Sequence, residues 1–85
     1  MMQQTSLRAY SLIAPTLGRR EKQVYECIKR LYDATDAEIA EHLRLPINCI
    51  TPRRGALVRA GLVMLAEKRY CKVHPKSWVM AWRAV

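Results

Sequence analysis

The hydrophobic pattern of this chain changes at Gly61, from the spacing typical of helices to a pattern typical of strands. Residues 19–60 repeat apolar side chains every three or four positions, as one buried face of a helix does. Beyond the glycine, residues 62–66 and 77–82 are apolar runs on either side of a basic connector. Two such runs predict an antiparallel hairpin. Helices followed by a hairpin predict an α+β fold.

Two helices are predicted in the first half of the chain. The first spans residues 19–32, begins after Gly18 as its N-cap, and buries one apolar face, Val24, Cys27, Ile28 and Leu31. The second spans residues 36–43 and begins at a capping box. In this box the hydroxyl of Thr35 accepts a hydrogen bond from the Glu38 amide, and the Glu38 carboxylate accepts one from the Thr35 amide.

A third helix is predicted over residues 52–60, after a turn around Pro46. Thr51 precedes this helix and is expected to be its N-cap, because a threonine oxygen can accept a hydrogen bond from the first turn. Gly61 follows the helix and is expected to adopt the left-handed conformation of a C-terminal cap. Leu57 is expected to face the core. The three helices and the hairpin together account for residues 15–85, which are predicted to form one domain.

Residues 1–14 are predicted to form a separate N-terminal segment. Leu7, Tyr10 and Ile13 are spaced by three in this segment, so a short extra helix is one interpretation. Its apolar face would cover either the core or a partner subunit. A homodimer is one expectation, because a single small domain makes few specific contacts and two copies would bind a two-fold site.

The charge of the chain is concentrated in its second half. Lys and Arg number 15 and Asp and Glu number 7, which gives a net charge of +8. Residues 1–42 contain as many basic as acidic side chains, whereas residues 43–85 contain nine basic ones and a single acid, Glu67. This asymmetry predicts a surface for a polyanion, with nucleic acid favoured over an anionic membrane. A basic surface that is merely solvated is the alternative.

Several classes of function are not expected. The cysteines Cys27, Cys49 and Cys71 form no CxxC pair, and His74 near the last of them is isolated, so we expect neither a metal site nor a disulfide framework. An 85-residue chain has little volume for an active-site cleft, and no catalytic pattern or glycine-rich phosphate loop is present. We therefore expect no enzyme activity, no cofactor and no small-molecule ligand. No apolar run approaches the roughly 20 residues of a membrane span, and a cytoplasmic location is expected.

A helix, a tight turn, a second helix and a basic hairpin describe a winged helix-turn-helix, in which the hairpin is the wing. The chain also has an I-N-x-x-T-P-R run, a G-L-V start of the wing, and a wing with a cysteine and a late tryptophan (Ile47, Asn48, Thr51, Pro52, Arg53, Gly61, Leu62, Val63, Cys71, Trp82). In these motifs residues 15–84 resemble small winged-helix proteins of bacteriophages and prophages. The resemblance implies DNA binding in the cytoplasm of a bacterial or phage-infected cell. The sequence departs from it at Gly55 and Ala56, where bulkier polar residues are expected.

Ten side chains are candidate DNA contacts: Asn48, Thr51, Arg53, Arg54, Arg59, Arg44, Lys68, Arg69, Lys72 and Lys76. Arg53 and Arg54 begin the third helix, where side chains reach base edges, and arginine is the usual partner of guanine O6 and N7. We expect Arg53 to read a base, with phosphate clamping as the alternative. The wing cations suit phosphates. Arg44 and Arg59 are expected to be backbone contacts or simply solvated.

These observations predict a sequence-specific double-stranded DNA-binding protein that regulates transcription. The alternative is a winged-helix interaction module whose basic face binds an acidic host protein. Structured RNA fits less well, because its deep and narrow major groove does not admit a helix. Trp82 is expected in the core and Trp78 near the wing tip, where an exposed ring would contact a partner protein or, as a weaker option, stack on single-stranded bases.

Overall fold

The computed structural model describes residues 14–85. Its helices are α1 (Arg19–Leu31), α2 (Asp36–Leu43) and α3 (Thr51–Arg59), and its strands are β1 (Ala34–Thr35), β2 (Val63–Tyr70) and β3 (Trp78–Ala84). Short 3-10 turns lie at Ala14–Thr16 and Ile47–Cys49. This part of the chain is therefore α+β, as predicted, and it contains three helices and a three-stranded antiparallel sheet. The predicted extra helix and dimer contact fall on residues 1–14, and all of these except Ala14 lie outside the described residues.

The strands are arranged in the order β1-β3-β2, so β3 is central. β1 pairs with β3 through Ala34 opposite Trp82, and β2 pairs with β3 along its length, with a bulge between Leu65 and Glu67. The sequence did not predict β1, because two residues are too few to show an alternating pattern. β2 extends to Tyr70, beyond the predicted end at residue 66. Its outer part includes the charged residues Glu67, Lys68 and Arg69, so the apolar pattern stops before the strand does.

The core forms where α1, α2 and α3 pack on the base of the sheet. Ile28, Ile39 and Leu57, one from each helix, are completely buried. Cys27 is also buried, as predicted, and burial raises the pKa of its thiol. Trp82 is 9% exposed, which confirms its predicted place in the core. The predicted apolar stripe of α1 is confirmed, with Leu31 only partly buried.

The helix termini follow local sequence signals. At α2 the Glu38 amide donates to Thr35 Oγ1 at 3.2 Å and the Thr35 amide donates to Glu38 Oε1 at 3.3 Å, which confirms the capping box. At α1 the Gly18 amide donates to Glu21 Oε1 at 2.9 Å. Gly61 adopts φ 79°, as expected for a left-handed cap. The predicted N-cap of α3 is wrong: the helix includes Thr51, and Ile50 precedes it with no side-chain cap.

Replacing Gly55 by alanine is expected to raise the free energy of unfolding by about 0.5–1 kcal/mol. α3 continues through Gly55, and an added Cβ would approach nothing closer than the Arg59 guanidinium, at 3.5 Å. The alanine therefore restricts the unfolded chain without a clash in the folded one. Urea denaturation followed by circular dichroism measures the change.

The matched control for this substitution is Gly61→Ala. Open space surrounds a Cβ at that position, but φ is +79°, which an L-residue rarely adopts. We expect the free energy of unfolding of this variant to be lower by about 1 kcal/mol. A lower denaturation midpoint for Gly55→Ala as well would contradict the described helix geometry.

Candidate nucleic-acid interface

Side chains from α3 and from the hairpin both bind acidic residues near the amino end of α2. Three acidic side chains in this region, Asp33, Asp36 and Glu38, form what we call the junction. Asp36 is the first residue of α2 and Glu38 is the third, so both belong to the capped first turn. Each carboxylate of the junction binds an arginine from a later part of the sequence.

Arg54 connects α3 to the junction. Its Nε donates to Asp36 Oδ1 at 3.0 Å and its Nη2 donates to Asp36 Oδ2 at 2.9 Å, so the pair is bidentate. The Thr51 hydroxyl donates to the same carboxylate at 2.9 Å. The Arg54 guanidinium also lies over the ring of Trp82, 4.1 Å from its centroid. These contacts hold the first turn of α3 against both α2 and β3.

Arg69 connects the hairpin to the junction. Its Nη1 and Nη2 donate to the two carboxylate oxygens of Glu38, each at 2.7 Å, and Nη2 also donates to Asp33 Oδ1 at 2.7 Å. The Lys72 amide adds a hydrogen bond to Glu38 Oε2 at 2.8 Å. Nearby, Thr35 Oγ1 and Cys71 Sγ share a hydrogen bond at 3.2 Å. The end of β2 is thus fixed to the start of α2.

The contacts of Glu38 change its acidity. Burial alone would raise the pKa of Glu38, but hydrogen bonds from Arg69 and from the amides of Lys72 and Thr35 outweigh burial and lower the pKa to about 2. The hydrogen bond with Glu38, assisted by Asp33, raises the pKa of Arg69 above its usual value. Glu38 is therefore ionised at neutral pH and fully engaged with partners inside the chain.

Three of the ten predicted contact residues, Thr51, Arg54 and Arg69, have partners inside the protein. The side chains of Arg54 and Arg69 are only 16% and 18% exposed, so their expected place on a DNA surface needs correction. The physical reason is direction, because successive helical residues point about 100° apart. Arg53 is exposed while Arg54 turns inward to Asp36, a partner 18 positions away.

The other seven predicted residues are exposed, and within residues 14–85 none of their side chains is in a salt bridge. Arg44 ends α2 with φ 56°, and Asn48 lies in the 3-10 turn before α3. Arg53 and Arg59 lie near the two ends of α3. Three lysines lie on or beside the hairpin, Lys68, Lys72 and Lys76.

Sequence reasoning missed the acidic residues that organise this surface. Asp36 and Glu38 were expected only within a helix start, yet they hold the arginines that position α3 and the hairpin. The sequence did contain a signal for them. The capping box needs only Glu38, so Asp36 is an additional carboxylate in the same turn and is available for another partner. Trp82 was recognised as a core residue, but its contact with Arg54 was not.

Within residues 14–85, no group of three or more His, Cys, Asp or Glu side chains is arranged to hold a metal ion. In the same part of the chain, no helix has both the length and the apolar character needed to cross a membrane. Comparison with known proteins finds no matching family model, no significantly similar curated protein and no significantly similar solved structure.

Proposed function

We propose that the chain is a winged helix-turn-helix protein that binds double-stranded DNA, and that it regulates transcription in the manner of small phage and prophage regulators. The observation that carries this proposal is the division of the basic side chains. Two arginines, Arg54 and Arg69, bind the acids of the junction. The other basic side chains after residue 43 are exposed, with Glu67 as the single acid in that half.

The arrangement of the elements supports the same proposal. α3 has nine residues, about 13 Å of helix. An α-helix with its side chains is about 10–12 Å in diameter, which the B-DNA major groove, about 12 Å wide, admits. In helix-turn-helix proteins, the first residues of the second helix contact base edges, and Arg53 occupies that place as an exposed side chain. The hairpin lysines suit the flanking phosphates. A helix this short reads few base pairs, so we propose that two copies bind a two-fold site.

The test is duplex binding by fluorescence anisotropy across a salt series, with sequences first selected from a randomised pool. The affinity of the wild type is expected to fall steeply with salt. The logarithm of the association constant should decrease with the logarithm of the salt concentration with a slope of about −0.9 per phosphate contact. Arg53→Ala is expected to weaken binding to the selected sequence by about 5- to 150-fold, because one bidentate base contact is worth about 1–3 kcal/mol. The matched control, Arg30→Ala, removes the same charge from an exposed position on α1.

Each outcome of this test has a defined meaning. Loss of sequence preference in Arg53→Ala supports base reading by Arg53. An equal loss on all sequences, with a smaller salt slope, makes Arg53 a phosphate contact. No duplex binding by the wild type, even at low salt, overturns the proposal.

A second candidate is a protein-interaction module that binds an acidic host protein. The exposure of Trp78, 59% of its surface, is the observation that favours it, because an exposed tryptophan is typical of binding surfaces. Leu7 and Tyr10, which would extend the apolar patch around Trp78 under this candidate function, lie outside the described residues. This candidate predicts binding to an acidic protein in the absence of duplex binding.

A further inference from the structure

The outer half of the hairpin has one face that carries two aromatic rings. Tyr70 pairs with Trp78 as the last pair of the ladder, and Lys68 pairs with Met80 two positions further in. Side chains two apart on a strand share a face, so these four residues form one surface, which we call the aromatic face. Arg69 lies between them in sequence, points to the opposite side, and binds the junction.

The side chains of the aromatic face are in solvent. Tyr70 and Trp78 are each 59% exposed, and Met80 is 44% exposed. The two rings meet edge to face, with centroids 4.9 Å apart and planes at 76°. In this arrangement the rings fix each other's orientation while flat ring surface stays open to a third ring. Trp82, on the same strand, is buried, so the exposure is particular to the outer half of the hairpin.

The surroundings of the aromatic face are basic. Lys68 belongs to it, and the loop that joins β2 to β3 adds Lys72 and Lys76, all exposed. On the hairpin and its loop the one acid is Glu67. Exposed rings among cations attract a ligand that has both flat aromatic groups and negative charge. Single-stranded nucleic acid has both, whereas the bases of a duplex are covered by their neighbours.

We propose that the aromatic face binds an unpaired nucleobase by stacking, with the hairpin lysines holding the adjacent phosphates. The proposal rests on the proposed function only in taking nucleic acid as the partner. It adds a second ligand, single-stranded nucleic acid, which is either a segment next to the bound duplex or a separate strand. The charge of the hairpin favours this partner over an apolar protein surface, because three lysines must lose water or find phosphates on binding.

Tryptophan fluorescence tests this proposal, because Trp78 is exposed and Trp82 is buried. Wild-type protein is titrated with a short oligothymidylate and, separately, with an abasic oligonucleotide that has the same number of phosphates. Stacking is expected to quench the Trp78 emission with oligothymidylate and to leave it nearly unchanged with the abasic strand. Trp78→Phe is expected to lose the quenching but keep most of the affinity, measured by anisotropy of a labelled strand.

Alanine variants measure the strength of the contact. Trp78→Ala and Tyr70→Ala are each expected to weaken oligothymidylate binding by about 5- to 150-fold, the range for loss of one stacked base. Circular dichroism melting verifies that both variants are folded. The matched control is Tyr32→Ala, which removes an 84% exposed ring from outside the hairpin and is expected to leave binding unchanged.

Two results would overturn the proposal. Equal binding of oligothymidylate and the abasic strand would reduce the interaction to phosphate contacts. Quenching by polyglutamate with none by oligothymidylate would assign the face to an acidic protein. Blunt-duplex binding and its loss in Arg53→Ala are measured separately, so this proposal and the proposed function fail in different experiments.

Discussion

Arg69→Ala is expected to lower the free energy of unfolding by about 3 kcal/mol at neutral pH. The variant leaves Glu38 and Asp33 without their guanidinium partner, and the Glu38 side chain is only 8% exposed. A domain of this size has a total stability of roughly 4–13 kcal/mol, so the loss would leave it marginal. Urea denaturation followed by circular dichroism measures the effect.

The control for this variant is Lys68→Ala, the neighbouring residue on β2. Lys68 is exposed and has no salt bridge within the described part of the chain, so its loss is expected to change stability by no more than about 0.5 kcal/mol. Similar losses in both variants would mean that the hairpin cations act through overall charge. Arg69→Lys is expected to fall between wild type and alanine, because an ammonium cannot reproduce the bidentate contacts.

The same cluster predicts how stability responds to acid. Folding lowers the pKa of Glu38 from 4.5 to about 2, so its contribution is fully present above about pH 4.5 and is lost as the pH falls to about 2. The expected loss over this range is about 3 kcal/mol. Glu38→Gln removes the titrating group, so its stability should be lower at neutral pH and flatter in acid. An unchanged acid slope in Glu38→Gln would contradict the role of this carboxylate.

Arg54→Ala is expected to lower the free energy of unfolding by about 2–3 kcal/mol and to loosen the first turn of α3. The variant removes the bidentate pair with Asp36 and the contact with the ring of Trp82. The side chains of Arg54 and Asp36 are each only 16% exposed, so the pair is largely shielded from water. Arg53→Ala is the matched control, since it removes the same side chain from an exposed neighbour and should be neutral for stability. Denaturation of the two variants side by side makes the comparison.

A double-mutant cycle identifies the partner of Arg54. We expect Arg54→Ala and Asp36→Ala to be coupled by about 1–3 kcal/mol, whereas Arg53→Ala and Asp36→Ala should be additive. Wild-type stability of Arg54→Ala, together with loss of duplex binding, would mean that Arg54 contacts DNA instead. In that case the assignment of Arg54 to the junction would be wrong.

The parts of the fold that the sequence predicted depend on local signals. α2 has the predicted bounds, residues 36–43, because its capping box lies within four consecutive residues. The stripe on α1 follows from its own repeat. β1 is too short to show any pattern, and it exists because Ala34 and Thr35 pair with β3, far along the chain. The outer part of β2 contains Glu67 and Lys68, and charged residues such as these are typical of a loop. Only their pairing with β3 identifies them as part of a strand.

The candidate site shows the same division. Composition predicted a basic second half, and seven of the nine arginines and lysines of that half are exposed. The two arginines that turn inward, Arg54 and Arg69, have partners 18 and 31 to 36 positions away. Spacing within a helix or strand carries no information on such partners. Only the packing of α3 and the hairpin around α2 selects which arginines stay free.

The junction also determines how much freedom is lost when a partner binds. Asp36 holds α3 and Glu38 holds the hairpin, so their relative orientation is already fixed in the free protein. A partner then has to immobilise mainly long cationic side chains, at about 0.5–1.5 kcal/mol each, and no backbone element. The two carboxylates thus act as a source of preorganisation. Although they carry the wrong charge to contact a polyanion, they would strengthen the proposed binding of one by reducing the loss of conformational entropy on binding.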